Sequence, residues 1–78
     1  MCDPAALLNK PVEYQYNGGV WYPGVVTEIS DGTQVNYRGV LLPPGRHHIQ
    51  FEDGDKEWVW LRITYQHKDA PGGWRPVV

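Results

Sequence analysis

The side chains with chemistry to offer are mostly rings and carboxylates. Within 78 residues there are 4 tryptophans, 5 tyrosines and 1 phenylalanine. Glu52, Asp53, Asp55 and Glu57 crowd around a single base, Lys56. Aromatic faces attract cations, and an acidic rim attracts a basic peptide while repelling phosphate. Tyr16 and Tyr22 flank the turn Asn17-Gly18-Gly19, which puts both at one end of the domain. Basic residues gather only in Arg46-His47-His48. A zinc site would have to lean on 3 histidines, two of them adjacent and poorly spaced for shared coordination. There is no Ser/His/Asp or Cys/His arrangement, no phosphate-cradling loop and no pair of metal-ligand motifs. The chemistry expected is therefore binding, with no catalysis, metal or cofactor.

Length bounds what can house that chemistry. A chain of 78 residues makes one domain and buries only about 60% of its unfolded surface, too little to enclose a deep cofactor cavity. With 7 basic and 9 acidic side chains the formal net charge is −2, which argues against a general duplex-binding role. The single cysteine, Cys2, excludes an internal disulfide framework. The longest apolar stretch, Gly39-Val40-Leu41-Leu42, is far short of a membrane span, and no secretory leader is visible. A reduced intracellular compartment is expected.

The elements that must position the rings are short strands. Glycine (9) and proline (7) cut the chain frequently, yet 13% of it is aromatic, so it is folded. Pro4 to Leu8, with Asp3 as N-cap, predicts less than two turns of helix before Pro11. Val12 to Tyr16 alternates at period two, and Val20 to Ile29 is rich in β-branched and aromatic types. Thr33 to Arg38 is a candidate short strand, and Pro43-Pro44-Gly45 requires a loop. His47 to Glu52 and Glu57 to Leu61 pair across Asp53-Gly54, where Asp53 suits the first place of a type I′ turn. Arg62 to Tyr65 extends that strand or closes it, and residues 66–78 read as an irregular tail. Tyr14, Trp60 and Tyr65 fall within strands and are assigned to the core; Trp21 points to the other face, against Trp74. The architecture expected is a small antiparallel barrel, closed so that no edge is left exposed.

Three stretches in order carry a resemblance: Val12-Glu13-Tyr14-Gln15-Tyr16, Trp21-Tyr22-Pro23-Gly24-Val25-Val26 and Phe51-Glu52-Asp53-Gly54-Asp55. Together they resemble a Tudor domain, a chromatin reader of the Royal superfamily built on a five-stranded SH3-like barrel. The likeness covers residues 11–65, between a short N-terminal helical turn (1–10) and the tail. It implies recognition of methylated lysine by an aromatic cage. Tyr16 matches the ring ending the first strand, Tyr22 the tyrosine early in the second, Phe51 the ring ending the third, and Asp53 the acid facing the ammonium. Asp55, Lys56 and Glu57 occupy the place of a further wall, and Trp58 is the next aromatic after them. The span from Thr33 to Arg46 is longer than in minimal members, with Tyr37 and Leu41-Leu42 available to cover the barrel or shape a groove.

The partner implied is a methylated histone peptide, and with it a nuclear location and a larger chromatin-associated complex or parent protein. Methylarginine recognition is a variant of the same reading, favoured by flat parallel walls. Two other classes compete. One is a nucleic-acid-binding barrel using Arg38, Arg46, His47, His48 and Trp21; the other is a plain interaction module for an unmodified peptide.

Overall fold

Alternating burial along the strands builds one sheet. The computed structural model describes residues 4–77. Strands β1 (Pro11–Tyr14), β2 (Tyr22–Ile29), β3 (His47–Phe51), β4 (Lys56–Val59) and β5 (Trp74–Pro76) are all antiparallel, in the order β4-β3-β2-β1-β5. Inward positions along β3, His47, Ile49 and Phe51, are buried. The core joins Val12, Val26, Ile49, Phe51, Val59, Leu61 and Trp74, with Leu7, Tyr14, Ile29 and Tyr65 packed against it. The fold is all-β, as expected, but the sheet does not close on itself: β4 and β5 are its two edges.

Short-range signals placed most of the turns. Pro4–Leu7 forms one turn of 3-10 helix, and Leu7 rests on the core while Leu8 faces solvent. The expected Asp3 cap lies outside the described residues. At the β3–β4 hairpin the Gly54 N–H donates to the Phe51 carbonyl (3.0 Å), and Gly54 takes φ +96°. Asp53 is not in the left-handed region, so the connection is a type I turn followed by a left-handed glycine, not type I′. Thr33 to Arg38 is no strand; only the bridge Val35–Leu41 survives there. Ser30 closes the base of that loop, donating from Oγ to the Pro43 carbonyl (2.7 Å) and accepting from the Arg46 N–H (2.7 Å). Arg62 to Tyr65 turns instead of extending β4, with a 3-10 turn at Ile63–Tyr65. No described helix is long and apolar enough to cross a membrane.

The main departure lies at the C-terminal end. The segment read as a tail contains β5, which pairs with β1 in the register Val12–Pro76, Glu13–Arg75, Tyr14–Trp74. Three residues ending in proline carry little strand signal, but an edge strand tolerates the missing N–H. Trp74 is buried, and its indole N–H donates to the Arg62 carbonyl at 2.6 Å. Trp21 does not meet it. The Arg75 guanidinium lies 4.0 Å over the Trp21 ring and pairs with Glu13 at 2.6 Å on the outer face. Trp74→Ala is expected to lower unfolding free energy by about 3–5 kcal/mol. Urea denaturation followed by circular dichroism measures this; a change below about 1 kcal/mol would show that the end of the chain is indeed a dispensable tail.

Candidate functional site

The strand ends converge at one mouth of the sheet. Tyr14, the last residue of β1, pairs with Tyr22, the first of β2, so both point to the inner face. Phe51 ends β3 opposite Gly24. A Cβ at Gly24 would stand 2.6 Å from Ile49 Cγ2, so only glycine lets β3 lie this close. Beyond β1 the chain is held by Gln15, which is buried. Its N–H donates to the Gly73 carbonyl (2.8 Å), its carbonyl accepts from Gly72 (2.8 Å), and its side-chain oxygen accepts from the Gly19 N–H (2.7 Å). With the backbone clamped there, Tyr16 stands over the mouth.

The rings meet at steep angles. Tyr16 lies with its centroid 5.6 Å from Tyr22 (interplanar angle 67°) and 5.6 Å from Phe51 (45°). Tyr14 sits 5.1 Å from Tyr16 at 85° and 6.5 Å from Phe51, and is only partly exposed. These are the edge-to-face and tilted arrangements that ring quadrupoles favour. Tyr16 and Tyr22 keep 38% and 37% of their surface in solvent, whereas Phe51 keeps 4% and belongs to the core as much as to the mouth. Three of the five residues singled out from sequence therefore stand in one ring cluster.

Asp53 lies in the turn directly after Phe51. One of its carboxylate oxygens accepts from the Asp55 N–H (3.0 Å), so it shapes the turn as well as charging it. The field it contributes is felt at the rings. Burial pushes the Tyr16 hydroxyl pKa well above the usual tyrosine value, and the charges of Glu57, then Tyr14, Asp55 and Asp53 push the same way. Burial also raises Tyr14, where Arg62 opposes the shift and Glu57 adds to it. Three carboxylates thus lie near a packed ring cluster whose outer faces, on Tyr16 and Tyr22, are open to solvent, and both features attract a cation.

Trp58 is placed elsewhere. It pairs with His48, one residue out of phase with Ile49 and Phe51, so its ring lies on the outer face. There it packs 4.8 Å from the His48 ring, whose Nδ1 is hydrogen-bonded to Thr27 Oγ1 (2.9 Å). Trp58, His48, Tyr37, Leu42 and Glu57 line a groove of about 250 Å³. In the 33–46 loop, Tyr37 and Leu41 are exposed, so this span shapes a groove and does not cover the core. Of the acidic rim read from sequence, Glu57 is the carboxylate that acts most strongly on Tyr16, ahead of Asp53. It is one residue out of phase with Trp58 and pairs with the inward-facing Ile49. Among the described residues no three His, Cys, Asp or Glu side chains gather as a metal site.

The raised tyrosines link stability to pH. A Tyr16 hydroxyl whose folded pKa exceeds the unfolded value of about 10 leaves stability intact below that pH; it is lost as pH rises through the folded value. The urea midpoint is expected to fall above about pH 10, and to fall less steeply in Tyr16→Phe. Identical alkaline slopes for both proteins would place the Tyr16 hydroxyl in open water. Comparison with protein-family models, curated proteins and solved structures finds no match to this chain.

Proposed function

We propose that this chain is a non-enzymatic module that binds methylated lysine at the mouth formed by Tyr16, Tyr22, Phe51 and Asp53. The supporting observation is the junction of Tyr16 with Tyr22 and Phe51, each with ring centroids 5.6 Å apart, under the negative charge of Asp53, Asp55 and Glu57. A trimethylammonium has no N–H to satisfy and sheds water more readily than a bare ammonium. Ring faces replace its hydration at roughly 0.5–2 kcal/mol each. The carboxylates add attraction, and for a mono- or dimethyl state one of them accepts the remaining N–H.

The angles favour lysine over arginine. Guanidinium stacking calls for flat, parallel walls, whereas Tyr16 and Tyr22 are inclined by 67° and in edge contact, so a compact cation would rest against their exposed faces. The strand order, with β5 returning to β1, supports treating the sheet as an SH3-like (Tudor) barrel left open between β4 and β5. On this reading the partner is a basic, methylated histone segment, the setting is nuclear, and the module tethers a larger complex to chromatin. Trp58, on the outer face, takes no part in the cage.

Affinity is expected to be micromolar or weaker, because a shallow mouth gains little against the loss of association entropy. Titrating histone-tail peptides that carry unmethylated to trimethylated lysine into labelled protein, followed by NMR, tests the assignment. Shifts should centre on Tyr16, Tyr22 and the 52–55 turn and should grow with methylation. Tyr22→Ala should remain folded and lose the preference, and Asp53→Asn, which keeps the turn acceptor, should weaken it several-fold. Equal response to methylated and unmethylated peptides would rule out the cage and leave the plain interaction module.

A further inference from the structure

The nucleic-acid reading based on Arg38, Arg46, His47, His48 and Trp21 does not survive the fold as a set. His47 is buried, His48 sits beside Trp58, Trp21 lies under Arg75, and Arg38 stacks on the exposed Tyr37. A different set is assembled. The Arg46 guanidinium stands 4.1 Å over the Trp60 ring and Arg62 stands 4.7 Å over the same ring. Arg62 is also 4.1 Å over Tyr65, and the Lys68 ammonium is 4.6 Å over Tyr65. Cations and rings thus alternate from the start of β3, past the end of β4, to the segment leading into β5. Trp60, assigned to the core from sequence, is 49% exposed along this strip.

These three cations are unneutralised. Among the described residues none of Arg46, Arg62 and Lys68 is ion-paired; the carboxylate next in sequence, Asp69, faces the Gly19 N–H at 3.2 Å. Like charges in one row repel, and here the rings hold them in place. The ordering entropy that a ligand would otherwise bear is thereby met in advance. A row of fixed cations matches a polymer with regularly spaced anions, and the guanidinium fork suits phosphate oxygens. The half-exposed Trp60 adds an aromatic edge where a sugar or base would lie. Glu57, the nearest of the acidic 52–57 turn, acts with Arg62 on the Tyr14 hydroxyl at the edge of the strip, and the other cations stand beyond it, so the net charge of −2 does not describe the strip.

We infer that the Arg46–Trp60–Arg62–Tyr65–Lys68 strip is a sequence-independent binding site for the phosphodiester backbone of nucleic acid. The inference stands independently of the methyl-lysine reading. Three phosphate contacts give a slope of log affinity against log salt of roughly −2 to −3 on duplex DNA, and shallower on a single strand.

The test is fluorescence anisotropy of a labelled mixed-sequence DNA, as duplex and as single strand, across about 20–150 mM NaCl. Binding should weaken with salt at that slope. Arg46→Gln and Lys68→Gln should each flatten it by about one unit, while Arg46→Lys and the off-strip Arg38→Gln preserve it. Thermal melting by circular dichroism checks that every variant is folded. The site is refuted if anisotropy does not change at the lowest salt, or if folded Arg46→Gln and Lys68→Gln keep the parental slope. Displacement of the DNA by polyglutamate at equal charge concentration would likewise overturn it, in favour of an acidic protein partner.

Discussion

Both candidate surfaces depend on one tertiary contact, the return of β5 to β1 with Trp74 driven into the core. The hydrogen bonds just ahead of Trp74 clamp Gln15 between Gly72 and Gly73, which sets where the chain leaves β1 and so where Tyr16 stands. The indole N–H of Trp74 holds the Arg62 carbonyl, which sets where that guanidinium enters between Trp60 and Tyr65. A Cβ at Gly73 would run into the Lys68 carbonyl, so the approach is open only to glycine. In a domain this small a single buried aromatic is a large fraction of total stability.

The two surfaces are polarised and share a boundary. Glu57 and Arg62 both act on the Tyr14 hydroxyl with opposite sign, so Tyr14 lies between the acidic mouth and the basic strip. Salt screens either charge set from the other beyond the Debye length of about 8 Å at physiological ionic strength. On the proposed reading, a basic peptide is drawn to the acidic side of this boundary and, on the inferred one, a polyanion to the basic side.

The legible parts were those decided by neighbours in sequence. Asp53-Gly54 marked the β3–β4 hairpin because only glycine takes the left-handed position there without strain. Alternation in Val12 to Tyr16 and His47 to Phe51 marked inner and outer faces, and the Tyr14–Tyr22 register follows from the loop between them. The ring cluster of Tyr16, Tyr22 and Phe51 was legible for the same reason, since Tyr22 and Phe51 sit at strand ends and Tyr16 two residues past the end of β1, which hairpin pairing brings to one mouth. Trp58 was not. Its face turns on a one-residue register in β3–β4, and a slip of one reverses every side chain.

What lay beyond the sequence was long-range. Trp74-Arg75-Pro76 has weak strand propensity and becomes β5 only because β1, more than fifty residues earlier, offers it an unpaired edge. Thr33 to Arg38 alternates like a strand but finds no ladder to join, so it remains a loop anchored at Ser30. Arg46, Trp60, Arg62, Tyr65 and Lys68 carry no recognisable spacing, and only folding aligns them. Composition and alternation by themselves determined an all-β chain with its turns and an aromatic, acidic end. Which edges pair, where Trp74 is buried and which cations line up were decided by the tertiary structure, because backbone pairing and apolar burial act between segments whose separation local propensity does not encode.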